Sequence, residues 1–365
     1  MSNFVNGLGP HAHPGLWAWH PMPVDSHIMS QNTIRIAVVN SSSFGLHFPD
    51  HIARLADVGV VKSFQFPPDI AGEELADALD GYQYIIASVA PRFSEAFFAR
   101  KDRTRLIARH GIGFDSVDLA SATRRGVIVT KVAGWVEREA VAEHTIALMI
   151  EVMRRAGEAD SVVRSGQWSR RARLVGFEIK GKTLGVIGSG NIGSRVCEIA
   201  SRGFGARVIA HSPYQNAGEV EGYGAEKVDL STLIRESDII SLHCALTPET
   251  RGMLSERQFA QMKDGVFLVN TARGELVDEV ALAAAVGSGK IAGLGVDVVA
   301  SEPAGADHPL LRFSNVVMTP HISAYTMESL RLMGEKMVDD VERVSSGRFP
   351  EDVVNTEVLR HAYAC

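Results

Sequence analysis

Arg273 stands four residues beyond the apolar run Val266-Phe267-Leu268-Val269, with only Asn270, Thr271 and Ala272 between. A guanidinium keeps its charge and is seldom buried without a partner. The side chain therefore needs an anion, supplied by the protein as an ion pair or by a ligand. A second constellation lies upstream. Gly188, Gly190 and Gly193 spell G-x-G-x-x-G within TLGVIGSGNIGSRVCEIA, directly after a strand pattern and directly before a helical one. In that setting the glycines allow a tight turn, close backbone approach to a pyrophosphate and close helix packing. The helix amino end, with Asn191 and Ile192, then faces the phosphates. That chemistry is dinucleotide binding.

The same fingerprint expects an acidic residue about 20 positions on, at the end of the next strand, to bond the adenosine ribose. Here that strand end reads VIAHSPYQ and puts His211 and Ser212 in its place. No arginine or lysine lies between Ala210 and Glu226 to favour a 2'-phosphate. The expected cofactor is NAD or NADP with weak discrimination, because a serine hydroxyl can bond either group and a histidine is mostly neutral at pH 7.

Positioning these groups requires a parallel sheet. From Ile34 onward, IRIAVV (34–39), YIIASV (84–89), RLIARH (105–110) and VIVT (127–130) alternate with helical stretches, the pattern of a sheet covered on both faces. One long helix is expected from Glu139 to about Arg164, striped by Ala140, Ala142, Ile146, Met149, Ile150 and Met153. A second series follows, TLGVIG (183–188), ARVIA (206–210), DIISLH (238–243), VFLVN (266–270), AGLGVDV (292–298) and NVVMTP (315–320), and fits a doubly wound nucleotide-binding domain. A final helix, Tyr325 to about Ser346, comes after the sixth strand and needs another place to pack. The fold expected is α/β, two doubly wound parallel-sheet domains with a Rossmann cofactor domain inserted into a flavodoxin-like substrate domain. The boundaries are 31–131 plus 325–365 for the substrate domain and 132–324 for the cofactor domain.

Composition agrees with two domains, since 365 residues with 45% hydrophobic content exceed what one core usually absorbs. A formal net charge of −6 gives no pull toward nucleic acid or anionic membrane. Charges interrupt every apolar window well before about 18 residues, so no transmembrane helix is expected. Cys197, Cys244 and Cys365 lack both the even count of a disulfide framework and metal-ligand spacing, which points to a reduced, cytoplasmic protein without a metal. Residues 1–30, with Pro10, Pro14, Pro21, Pro23 and the His11-Ala12-His13 stretch, read as a flexible extension or an upstream start, with Met29 an alternative beginning.

From residue 33 on, the chain resembles the D-isomer-specific 2-hydroxyacid dehydrogenases. The resemblance rests on HGIGFDSVDLASATRRGVIVT (110–130), AVAEHTIALM (140–149), GKTLGVIGSGNIG (181–193), LVNTARGELVDE (268–279), GVDVVASEP (295–303) and TPHIS (319–323), occurring in this order. It implies that Arg273 binds the substrate's carboxylate and carbonyl. His321 then passes a proton to or from the substrate oxygen, Glu302 holds that histidine, and Asp297 lies near the nicotinamide and influences protonation. Backbone amides at Val89 and Ala90 are implied to hold the substrate carboxylate. Arg92 is either a contact for a second anionic group or a surface charge. The resemblance also implies a homodimer built on the helix after Glu139.

The chemistry suits these residue types. Hydride loss from a secondary alcohol must be matched by loss of the hydroxyl proton, which a histidine can accept. A neighbouring carboxylate favours the imidazolium and orients the ring. A fixed fork of donors recognises a 2-oxo acid better than a point charge does. Taken singly, Glu302 is an ordinary solvated acid and His321 an ordinary structural histidine; three strand-end residues of one sheet together read as a site.

Two departures from the family pattern bear on the pocket. Trp135-Val136-Glu137-Arg138 is bulkier and more charged than usual, and Ser323 stands where glycine is frequent. The activity expected is reduction of glyoxylate or hydroxypyruvate, with phosphoglycerate dehydrogenase as the alternative. The chain is expected to do without the regulatory domain that many of the latter append. A formate dehydrogenase would carry glutamine at Glu302. A non-enzymatic, nucleotide-sensing relative is the contrasting class, disfavoured by the intact Arg273, Glu302 and His321 set.

Overall fold

The computed structural model describes residues 33–101 and 103–361. The extension 1–30 and Cys365 lie outside the described residues. Twelve parallel strands form two sheets. The first contains β1 (Arg35–Val39), β2 (Val60–Phe64), β3 (Tyr84–Ala87), β4 (Leu106–Arg109) and β5 (Ile128–Thr130), in the order β2-β1-β3-β4-β5. The second contains β6 (Thr183–Ile187), β7 (Arg207–His211), β8 (Glu226–Lys227), β9 (Ile239–Leu242), β10 (Val266–Asn270), β11 (Ile291–Val296) and β12 (Val316–Met318), in the order β12-β11-β10-β9-β6-β7-β8. The first is the flavodoxin-like order, the second the Rossmann order extended by one strand.

Central strands β3, β4, β9 and β10 are buried along their whole length, which explains their continuous runs of apolar residues. Two strands carry no such run. β2, VVKSF, is half-exposed at the sheet edge with Lys62 in its middle, and β8 is only two residues long. The expected four-strand and six-strand series are therefore five and seven strands.

The expected single helix from Glu139 to Arg164 is two helices, Arg138–Arg154 and Ala156–Arg164. The break falls at Arg155, whose left-handed backbone (φ 55°) ends the first helix where a glycine usually would. The first of the two packs across β10 and β11.

The last long helix, Met327–Ser345, leaves the second sheet after β12 and packs on the first. Its N-cap is Thr326, whose hydroxyl accepts the Ser329 N–H at 3.1 Å. Met333, Met337, Val338 and Val341 join Ile36, Val38, Leu106 and Ala108 in one core, each such burial stabilising by about 2 kcal/mol. Beyond it, Asn355 accepts the Val129 N–H at 2.9 Å and donates to Val127 O at 2.9 Å, fastening the returning chain to β5.

Candidate active site

A cleft of about 1140 Å³ opens where the carboxyl ends of both sheets face each other. Its lining includes Val89, Ala90, Arg273, Glu302 and His321. That volume exceeds the roughly 300–1000 Å³ of a drug-sized pocket and suits a dinucleotide end plus a small acid.

Glu302 and His321 are a pair, with Glu302 Oε2 at 2.7 Å from His321 Nδ1. A carboxylate only accepts, so Nδ1 carries the proton and Nε2 is left toward the cleft, with no protein partner among the described residues. The ring's position is held from behind. His321 has a left-handed backbone (φ 55°), and its N–H donates to Asp297 O at 2.9 Å. The Asp297 carboxylate, 1% exposed, accepts from Thr319 Oγ1 (2.5 Å), Ile322 N (2.9 Å) and Ser323 N (2.8 Å). A non-glycine residue in this region costs on the order of 1 kcal/mol, and three bonds to one buried carboxylate over-determine it. Asp297 lines the cleft, but its oxygens serve the 319–323 turn, which makes it a positioning residue for His321.

Arg273 has a protein anion that the sequence did not reveal. Its Nε and Nη2 donate to Asp115 Oδ1 at 3.1 and 3.0 Å, and Nη1 donates to Ala272 O at 2.7 Å. These use three of the five guanidinium donors and leave one N–H on each terminal nitrogen. Burial raises the Asp115 pKa, but the Arg273 charge and hydrogen bond outweigh it and hold the carboxyl below the usual range. Gly113 makes the approach possible, since a Cβ there would fall 1.6 Å from Arg273 Nη2.

Arg109 was also missed. It is 2% exposed and donates to Ala87 O (2.5 Å), Ser88 O and Gly113 O (3.0 Å), and burial pushes its pKa down to about 10. It ties the loop carrying Val89 and Ala90 to the turn carrying Asp115. Among the described residues, neither the Val89 nor the Ala90 N–H has a protein acceptor. Arg92 is not brought in. Phe93 is fully buried and its backbone bonds Ser116 and Asp118, so the neighbouring side chain points outward and Arg92 is exposed, away from the cleft lining. Two charged groups take its place in the lining: Lys131, whose Nζ lies 5.4 Å from the Phe114 ring centroid, and Glu137.

The glycine turn fits a dinucleotide. Gly188 has φ +90°, and a Cβ there would lie 2.6 Å from Cys244 N. At Gly193 a Cβ would lie 2.0 Å from Gly188 O, whereas Gly190 faces open space. These are the three separate reasons the fingerprint uses glycine. Asn191 and Ile192 open the following helix and line the cleft. At the ribose corner, His211 Nδ1 sits 3.3 Å from Val228 O and Ser212 is buried. Strand pairing adds a cation just outside the interval inspected by sequence: Lys227 on β8, opposite Ala210, donates to Gln215 O.

The family model for the NAD-binding domain of D-isomer-specific 2-hydroxyacid dehydrogenases matches residues 146–323. A glyoxylate reductase of Aeropyrum pernix is 38% identical over 322 residues, covering 86% of this chain and 95% of that one. The chain belongs to the D-isomer-specific 2-hydroxyacid dehydrogenase family. A D-3-phosphoglycerate dehydrogenase of Archaeoglobus fulgidus is 37% identical over 283 residues, but the match spans only 53% of its length. The D-lactate dehydrogenase of Aquifex aeolicus, solved with NAD and lactic acid, superposes with a TM-score of 0.76 at 30% identity, covering 89% of this chain and 98% of that one. A member of this family is an oxidoreductase that works on CH–OH donors with NAD or NADP. Among the described residues, no helix is long and apolar enough to cross a membrane.

One buried group at the cleft makes the fold acid-sensitive. Burial, with Arg109 next in effect, pushes the His110 pKa down to about 3. A lowered histidine pKa means the unfolded chain binds more protons below about 6.5, so this contribution is complete above that pH and is lost as pH falls toward 3. Acidification from pH 6.5 to 5 should then cost about 2 kcal/mol through His110 alone, at about 1.36 per unit. Thermal melts across that range check it; a flat Tm would show that His110 is charged in the fold.

Proposed function

We propose that the cleft reduces a small polar 2-oxo acid, glyoxylate or hydroxypyruvate, to the D-2-hydroxy acid, using NADH or NADPH. The observation that carries this reading is the Glu302–His321 pair, whose free Nε2 shares one cleft with the two unused donors of Arg273. The Arg273 donors and the Val89 and Ala90 amides bind and orient the substrate's carboxylate end. His321 Nε2 delivers a proton to the carbonyl oxygen, and Glu302 favours the imidazolium that delivers it. The nicotinamide, when bound, supplies the hydride. Four glyoxylate reductases among the similar curated proteins support the substrate class.

A second reading, 3-phosphohydroxypyruvate, is favoured by Lys131, a cation in the lining that a phosphate would use. A steady-state comparison of glyoxylate, hydroxypyruvate, pyruvate and 3-phosphohydroxypyruvate with both cofactors separates the two. A specificity constant far higher for the phosphorylated acid would overturn our ranking, and no turnover with any would leave a nucleotide-binding protein.

Around this site we divide the chain at about residues 131/132 and 324/325 into a substrate-holding unit and an inserted cofactor unit. We also assign a homodimer. Val163, Trp168, Val175 and Phe177, 49–73% exposed after the helix Arg138–Arg154, support a covered face there. Light scattering at micromolar concentration should give twice the chain mass; a monomer would refute the assembly. The free thiols Cys197 and Cys244 are consistent with a reducing, cytoplasmic setting.

At the ribose corner, an acid introduced by Ser212→Asp should repel a 2'-phosphate. The Kd ratio of NADPH to NADH should rise at least about tenfold, one like-charge contact's worth. If the unmodified protein already discriminates by more than about 100-fold, Ser212 and His211 do not decide the preference.

A further inference from the structure

Glu137 is a carboxyl group that the reaction described above does not use. It sits at the start of the helix Arg138–Arg154, is 8% exposed, and lines the cleft with Arg273 and His321. One oxygen, Oε1, accepts the Ile112 N–H at 3.1 Å, and among the described residues Oε2 has no partner. Oε2 is not enclosed by the protein, so its hydrogen-bonding capacity is open to whatever occupies the cleft. Among the described residues the carboxyl accepts from one backbone N–H, that of Ile112, and makes no cap bond to its own helix, so capping does not account for it. Burial raises the Glu137 carboxyl above its usual range, opposed first by the Ile112 N–H and then by the charges of Arg273, His321 and Arg109, two of them the groups assigned to the substrate. Arg273 and His321 take the 2-oxo acid end, and what remains of a three-carbon substrate such as hydroxypyruvate is its C3 substituent, which glyoxylate lacks.

We propose that Glu137 is a specificity-determining residue that reads C3 of the substrate, its free oxygen accepting a hydrogen bond from a neutral donor such as a 3-hydroxyl. This rests on the 2-oxo acid reading of the cleft. A 3-hydroxyl completes the hydrogen bonding of a buried acid. A methyl at C3 leaves Oε2 unpaired, and an anionic C3 group meets a like charge. Selection thus works both by attraction and by repulsion. Lys131 in the same lining would pull a phosphate in, and Glu137 sets the opposing charge.

Two measurements test this. On the unmodified enzyme, kcat/KM for hydroxypyruvate should exceed that for pyruvate by at least about tenfold, since the two acids differ only by the hydroxyl. In Glu137→Gln, which keeps an oxygen for the Ile112 N–H, the hydroxypyruvate-to-pyruvate ratio should fall about fivefold or more as a charge-assisted bond becomes a neutral one. The 3-phosphohydroxypyruvate-to-hydroxypyruvate ratio should rise about tenfold as the repulsion is removed. Equal use of hydroxypyruvate and pyruvate by the unmodified enzyme overturns the proposal even if the variant does not fold. Turnover by a folded E137Q with both ratios unmoved overturns it while leaving the 2-oxo acid reading intact. Absence of turnover by the unmodified enzyme removes both.

Discussion

His321→Ala should lower kcat at least about 100-fold at every pH, the usual scale for losing a positioned general acid–base. Nε2 is the ring nitrogen without a protein partner among the described residues, and it faces the cleft; alanine leaves only water to protonate the substrate oxygen. The His321 backbone is held by Asp297, so the 319–323 turn and the nicotinamide pocket should survive, and NADH affinity should stay within about threefold. Glu302→Gln is the companion variant. It can still accept from Nδ1 but removes the negative charge beside the ring, so its main effect should fall on kcat rather than on folding. Near-normal turnover of H321A across pH would remove histidine from the reaction.

Arg273→Lys should cost at least about 100-fold in kcat/KM, some 2.7 kcal/mol at about 1.36 per decade. Lysine keeps the charge and can still reach Asp115, but it loses the planar fork that leaves two donors for the substrate. The magnitude separates function from architecture. The Arg273–Asp115 pair is partly exposed, at 23% and 42%, and as a structural ion pair it contributes under about 1 kcal/mol. A purely structural arginine would show a small drop in Tm with kcat/KM intact; a substrate-binding arginine shows the reverse. Asp115→Asn should fall between, because it loosens Arg273 without removing it.

Sequence and structure agree where local pattern and position coincide. Runs of Ile and Val mark the buried central strands, and the glycine turn is legible because each glycine has its own steric reason. Arg273, Glu302 and His321 were named by the resemblance to the D-isomer-specific 2-hydroxyacid dehydrogenases, and their shared place after strands of one sheet added weight to it. β2 and β8 were not legible: an edge strand with Lys62 at its centre and a two-residue strand carry no hydrophobic signal. The helix break falls at Arg155 itself, two residues before the nearest glycine, Gly157.

The charged second layer was hidden for a different reason. Asp115, Arg109 and Lys131 come from the carboxyl ends of β4 and β5, and only the folded sheet shows that these ends share a cleft with Arg273, 158 residues after Asp115. Lys227 was missed by one position, because sequence distance rather than strand pairing bounded the search. Of the two readings open for Arg92, the surface charge fits, since the buried Phe93 beside it directs the side chain outward.

The most direct test of the site is the configuration of its product. In the function we propose, the carboxylate is held by Arg273 and the Val89 and Ala90 amides and the proton comes from His321, an arrangement that would fix which face of the carbonyl meets the nicotinamide. Chiral chromatography of the glycerate formed from hydroxypyruvate and NADH should show the D-isomer alone. L-glycerate, or a racemic product, would mean that Arg273 and His321 do not hold the substrate between them.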